Sequence, residues 1–290
     1  MEKNEQTKSL IEIKASGWKI ILLKVKDQIA ENNVGIVSAG VAFYAFLAIF
    51  PALMALISIY GLAMDPENVQ RQISSFSDMM PKQAFSIIKD QIKQITSTSG
   101  KALGWGTALG ILFSLWIANK GTKSLFTGID IAYNTNNTRN FILQNALTLL
   151  FTLGAVVLLI LSMVLIVIFP ALVDQLGLPA QIESLITWLR WLILAVLVVF
   201  FLGLLYRYAP VRSSPSLQMV LPGSLLATLI WLLGSWGFSY YVSNFGSYGE
   251  VYGSISAVVI LMLWLLLTSW IILLGAELNS ETERYAKNST

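Results

Sequence analysis

The sequence predicts an all-α fold, a polytopic membrane bundle of about six transmembrane helices with amphipathic helices at the interface. Three observations predict it. Hydrophobic residues make up 56% of the chain and charged residues 12%, about half the charged share of an ordinary globular domain. Val34 to Met64 runs for thirty-one residues without an Asp, Glu, Lys or Arg, well beyond the roughly 20 that a bilayer crossing requires. Five further apolar stretches follow it, separated by short polar breaks.

Residues 1–33 are charged, and the first apolar run is too long for a signal-peptide core, so no cleavable leader is expected. Trp18, Ile21, Leu22, Val25 and Ile29 recur at helical spacing with Lys14, Lys19, Lys24 and Lys26 among or near them. That pattern suits a cytoplasmic or interfacial amphipathic helix whose lysines reach the headgroups. A leader helix packed on the rest of the chain satisfies it as well.

The membrane domain is expected over 34–280. In its first span, about 34–63, Gly35, Ser38, Ala42, Ala45 and Ala52 form a small-residue seam that admits a neighbouring helix. Pro51 is expected to kink it. Residues 65–101 form a polar insertion on the extracytoplasmic side. Asp65-Pro66 there reads as a helix start, and Val69, Ile73, Phe76 and Met80, then Ala84, Ile88, Ile92 and Ile95, read as two short amphipathic helices. The second span starts near Ala102 and loses its uncharged character after Asn119. The third lies in 140–173, the fourth in about 184–206, the fifth near 217–243 and the sixth in 251–276. A short cytoplasmic tail, 281–290, ends the chain. With both termini in the cytoplasm, thirteen Lys and Arg fall on the inner side; outside the insertion, Arg190 stands alone on the other.

Composition also excludes chemistry. The chain has no Cys and no His, so it has no disulfide framework and no histidine base, and a zinc site or histidine-based nuclease is excluded. A net charge of +3, widely dispersed, does not suggest nucleic-acid binding. Gly121-Thr122-Lys123-Ser124 lacks the glycine spacing of a phosphate loop. No cofactor is expected, and no enzyme.

Charged groups in or beside spans are the functional candidates, because burying them is costly. Asn119, Lys123, Thr127, Asp130 and Asn134 share a helical stripe, and Lys120 and Lys123 suit a phosphate headgroup. Both lysines serve equally as snorkelling anchors. Glu277 ends the sixth span within Gly275-Ala276-Glu277-Leu278-Asn279 and is expected to seek a cation among Lys120, Lys123, Arg139, Arg207 and Arg212. Arg190, between Trp188, Leu189 and Trp191, reads as an interfacial anchor or a contact to an anionic lipid. Tyr240, Tyr241, Tyr248 and Tyr252 read as an aromatic belt or a cavity mouth.

These landmarks together resemble the YihY/BrkB family of bacterial inner-membrane proteins, some of which carry the old label ribonuclease BN. The resemblance covers about residues 15–280. It rests on Ala39 through Pro51, Lys120 through Asn134 with Arg139, Tyr206 through Pro210, Leu221-Pro222-Gly223 with Trp231, Tyr252-Gly253-Ser254, and Trp264 through Asn279. It implies six membrane helices and a bacterial cytoplasmic-membrane location, and it brings no established activity. Many relatives read Leu-Asn where this chain has Ile129-Asp130, which sets an acid within the expected cationic region.

The pattern points to an ATP-independent transporter or flippase-like protein for a lipid or other anionic amphiphile. In that reading Lys120, Lys123, Arg139 and Arg207 draw the headgroup, and Asp130 and Glu277 position the cations. Membrane lipids are the expected partners, with a second copy of the chain or another envelope protein as further candidates. The alternative is a non-transporting membrane scaffold for envelope assembly.

Overall fold

The computed structural model describes residues 13–63, 100–135, 138–169, 173, 179–212, 217–244 and 254–288. Among these residues the chain forms helices α1 (Ala15–Glu31), α2 (Val34–Ala63), α3 (Gly100–Ala132), α4 (Phe141–Met163), α5 (Ala180–Tyr208), α6 (Leu217–Asn244) and α7 (Ser254–Asn288). A π-helical turn, Val164–Ile168, extends α4. The two helices expected within 65–101, together with Tyr248 and Tyr252, lie outside the described residues.

Among the described residues four segments are long and apolar enough to cross a membrane: Phe141–Ile166, Trp188–Tyr208, Gln218–Val242 and Ser256–Asn288. Helices α1 and α2, bent by 65° at the break between them, make a fifth if the pair is one span. The expected third to sixth spans thus coincide with α4 to α7. The first falls on α2, and the second on the uncharged half of α3.

The chain divides into two compact units, one of Met1–Phe43 with Gly121–Thr290 and one of Tyr44–Lys120. Within the second, Phe46 and Phe50 meet edge to face at 5.2 Å and Phe113 stacks on Trp116 at 5.8 Å. The first unit contains α1 and α4 to α7 entire.

Its surface is apolar and much of its polarity is inside. Phe141, Ile142, Leu150, Leu159, Leu192 and Leu233 are exposed, whereas Ser38, Thr148, Glu277, Asn279, Glu281 and Thr282 are buried. Hydrocarbon offers no hydrogen bonds, so buried polar groups close on the protein itself. Ser38, Ser224, Thr228, Ser269 and Thr282 each donate to the carbonyl four residues back. Thr122 and Thr152 join α3 to α4 at 2.7 Å. A chain of rings, Phe126–Phe151 at 5.5 Å and Phe151–Phe201 at 6.0 Å, ties α3, α4 and α5. The expected seam on α2 is used in part. Ser38 and Ala42 are buried, while a methyl group built on Gly35 meets nothing within 4 Å.

In lipid, helices associate by close packing and interhelical hydrogen bonds, and α6 and α7 use both. A Cβ on Gly223 would collide with the Gly275 carbonyl oxygen, and one on Gly275 with the Tyr206 hydroxyl. Beside Pro222, which removes one rung of the α6 ladder, Asn279 reaches across from α7. Its Oδ1 accepts from the Gly223 N–H at 2.7 Å, and its Nδ2 donates to the Val220 carbonyl at 3.0 Å. Tyr206 then ties α5 to the same place, donating to the Ile272 carbonyl at 2.7 Å.

Helix α1 docks on α7. Ile21 and Val25 are buried against Leu278, with Trp18, Ile29, Leu274 and Tyr285 around them. That face meets protein where an interfacial helix would turn it to lipid, although Ile20, Leu22 and Leu23 stay exposed. Asn32 closes α1 by donating its N–H to the Gln28 carbonyl. Asn33 then takes a left-handed φ of 51°, which Asn tolerates better than most residues with a Cβ.

The crossing makes a sharp prediction. Gly275→Ala destabilises the protein by at least about 1–3 kcal/mol, the usual cost of overpacking, because its two nearest obstacles, the hydrogen-bonded Tyr206 hydroxyl and the Gly223 carbonyl oxygen, are anchored. Gly237→Ala, which meets nothing within 4 Å, leaves stability unchanged or slightly raised. Thermal unfolding in detergent of the two variants side by side checks this.

Candidate functional site

One end of the first unit gathers the start of α2, the end of α3, the starts of α4 and α6, the end of α5 and the last turns of α7. Most of the candidate side chains converge there. Asp130 is buried. Its Oδ1 accepts from the Val211 N–H at 3.1 Å and the Thr135 hydroxyl at 3.0 Å. It thereby pins the α3 exit to the α5–α6 connection. Burial pushes its carboxyl above the ordinary value, against the opposing pull of those two donors and of the Arg139 charge.

Arg139 caps α5. Its Nη1 donates to the Ala209 carbonyl at 2.8 Å, and its Nη2 to the carbonyls of Tyr208 at 2.8 Å and Pro210 at 3.1 Å. A helix C-terminus leaves carbonyls without partners and carries partial negative charge, and a guanidinium answers both. Arg139 is therefore built into the frame.

Glu277 does not meet the cation expected of it. Its Oε1 accepts from Asn32 Nδ2 at 2.7 Å. Arg212 pairs with Glu283 and lies over the Tyr133 ring, 3.9 Å from its centroid. Glu283 also binds Lys287 at 3.0 Å, and Arg284 binds Glu281 at 2.6 Å. Burial holds the Tyr133 phenol above its ordinary value and draws Arg212 below its own.

Lys123 and Arg207 are differently placed. Lys123 donates to the Asn145 side-chain oxygen on α4. Arg207, half-buried, lies 5.4 Å from the Tyr208 ring centroid. Among the described residues no acceptor reaches its buried Nε. Lys120 belongs to the other unit, where its ammonium lies 5.3 Å from the Trp116 ring centroid. Arg190 is half-buried and lies 5.6 Å from the Trp191 ring centroid. The expected polar stripe divides. Thr127 bonds its own helix at Lys123, Lys123 turns to α4, and Asp130 turns to Val211.

Sequence reasoning missed an apolar crevice of about 350 Å3 among α4, α5, α6 and α7. Leu158, Ser162, Phe201, Trp231, Trp264 and Thr268 are among its lining. Trp231 donates its indole N–H to the Thr268 hydroxyl at 3.2 Å, and the Trp231 and Trp264 rings lie 6.2 Å apart. One turn beyond Leu202, the Tyr206–Ile272 hydrogen bond stands between the crevice and the polar end. The two tryptophans were visible in the sequence, but no periodicity shows that four helices leave a gap between them.

The family model described as Virulence factor BrkB matches residues 25–290. The chain belongs to the BrkB family. It is 30% identical over 249 residues to a Bacillus subtilis protein named putative ribonuclease-like protein YfkH, covering 84% of this chain and 88% of that one. It is 42% identical over 83 residues to a UPF0761 membrane protein of Xanthomonas campestris pv. campestris, which is 28% of this chain and 19% of that protein. A UPF0761 membrane protein of Xanthomonas oryzae pv. oryzae is 45% identical over 78 residues, 27% of this chain and 18% of that one. No solved structure matches. Family and helices together make this a multi-pass membrane protein.

Two predictions follow from the BrkB chain's polar end. Arg139→Lys gives up the planar fork that serves three carbonyls and lowers stability by about 1–3 kcal/mol, read as a lower Tm in detergent. Asp130 has a folded-state carboxyl value raised by burial, so it binds its proton more tightly folded than unfolded. Its contribution is complete below the ordinary carboxylate value and is lost as pH rises through the folded value. Asp130→Asn removes that slope. The Tm of wild type relative to the variant falls between mildly acidic and neutral pH, and parallel Tm curves count against the assignment.

Proposed function

We propose that this BrkB-family protein is an ATP-independent transporter or flippase-like carrier for a lipid or other anionic amphiphile in the bacterial cytoplasmic membrane, with both termini in the cytoplasm. The observation that carries the reading is the crevice. It is apolar, it lies within the membrane-crossing helices, and its volume falls in the range of small-ligand sites, roughly 300–1,000 Å3. An acyl chain fits its chemistry and a charged headgroup does not.

The headgroup belongs at the polar end. Arg139, Arg212 and Arg284 are committed to carbonyls or carboxylates there. Arg207, with Nε lacking an acceptor among the described residues, and Lys123, held by an uncharged amide, retain charge for an anion. Asp130 and Glu277 serve the frame around them. In this reading Tyr206, whose hydroxyl donates to the Ile272 carbonyl beside the crevice, would act as the gate between crevice and polar end. The absence of histidine from the sequence favours a non-enzymatic role, and the word ribonuclease in the Bacillus relative's name has no chemical counterpart among these residues.

A static membrane scaffold is the second reading. The separate ties made by Arg139, Asp130 and Asn279 between helices and their ends favour it, because such ties stiffen a bundle whether or not anything moves through it.

Reconstitution in vesicles with a fluorescent anionic lipid separates the two. The carrier reading expects transfer above the protein-free background, lowered at least about tenfold by Arg207→Gln with Lys123→Ala, a loss of roughly 1.4 kcal/mol or more in headgroup binding. Wild type at background, with the protein shown to be folded, leaves the scaffold.

A further inference from the structure

Glu277 is 1% exposed and sits where α7 meets the elbow between α1 and α2. Its Oε1 accepts from Asn32, while Oε2 is buried and no donor among the described residues reaches it. An ionised carboxylate offers about four acceptor positions, and leaving one oxygen bare in the interior is costly. Its single partner is a hinge residue. Asn32 ends α1, is held by Gln28 at 3.3 Å, and is followed by left-handed Asn33 and a 65° bend.

The Arg284 charge reaches Glu277, and the Glu281 charge opposes it. From the end of α3, Tyr133 is electrostatically coupled to it, and the Tyr133 ring carries Arg212, which pairs with Glu283. On α7 the next turn presents Glu281 and Arg284, which pair with each other. From α1, Glu31 is turned to Gln28 at 2.8 Å. The described part of α6 contains no charged residue.

We propose that Glu277 is a proton-binding site whose occupancy sets how firmly the α1–α2 elbow is docked on α7. A proton from the aqueous phase adds to Oε2 and returns there on release; no other bond is made or broken. Ionised, Glu277 accepts a charge-assisted bond from Asn32. Protonated, Oε1 becomes a carbonyl oxygen and the bond weakens, since charge-assisted hydrogen bonds are roughly twice as strong as neutral ones. Acid loosens the elbow and alkali fastens it. The inference holds whether or not the protein carries an amphiphile.

The absence of native cysteine makes the test clean. Leu23→Cys on α1 and Leu229→Cys on α6, both exposed, accept spin labels on the full chain in lipid nanodiscs. The distance distribution is expected to be narrow in mildly alkaline buffer and to broaden or lengthen in mildly acidic buffer. Glu277→Gln, a neutral stand-in for the protonated acid, is expected to show the acidic distribution at every pH. An invariant wild type, or an unchanged pH response in Glu277→Gln, overturns the proposal. So does a distribution that follows sodium at fixed pH, which marks a cation site instead. Should Glu277→Gln fail to fold, infrared difference spectra between the two buffers decide: a protonated-carboxyl band displaced in Glu277→Asp supports the site, and identical spectra overturn it.

Discussion

The close passage of α6 and α7 at Gly223 and Gly275 is the contact on which the polar end depends. Two backbones approach until neither glycine has room for a methyl group. That approach sets α7 in register, bringing Asn279 onto the Gly223 N–H and Val220 carbonyl. It also brings the Ile272 carbonyl under Tyr206. Gly275 and Asn279, one turn apart, both face α6. Glu277 lies midway between them in sequence and is rotated by about 200° from Gly275, so the register that buries Asn279 against α6 turns Glu277 to the opposite side, where Asn32 waits.

Neighbouring cations at this end have different roles because their reach ends on different atoms. The fork of Arg139 spans three successive carbonyls at the end of α5, and removing it would expose a helix terminus. Arg207, in the last turn of that helix, instead lies 5.4 Å from the Tyr208 ring centroid. Position along the sequence does not separate a structural arginine from an available one. The fate of the guanidinium nitrogens does.

Much of the fold was legible because a membrane enforces it. Uncharged runs of spanning length have no other use, so α4 to α7 coincide with the expected third to sixth spans. The polar stripe on α3 was legible as a pattern and misleading as a surface: helical spacing puts Lys123 and Asp130 on one face, but α4 draws one away through Asn145 and the α5–α6 connection draws the other. The cation expected beside Glu277 was reasoned from charge alone. The structure supplies an amide, because the arginines within reach have nearer carboxylates in Glu281 and Glu283. Asn32 was not among the sequence candidates, because no local rule links it to a residue 245 positions later.

Among the described residues, buried side-chain atoms without a hydrogen-bond partner lie on Tyr133, Gln144, Arg190, Arg207, Arg212, Glu277 and Glu283. Among the described residues the Arg207 Nε and the Glu277 Oε2 are two such atoms, and both lie at the end where the framework is otherwise most tightly tied. Each unsatisfied group there costs free energy that closing the bond would recover, so a packing device would be expected to close it. Arg139 shows that this backbone can hold an arginine completely, and Asn279 shows the same for a buried polar side chain on α7. On the carrier reading the open nitrogen of Arg207 is the place for an anion, and on the proton-site proposal the open oxygen of Glu277 is the place for a proton.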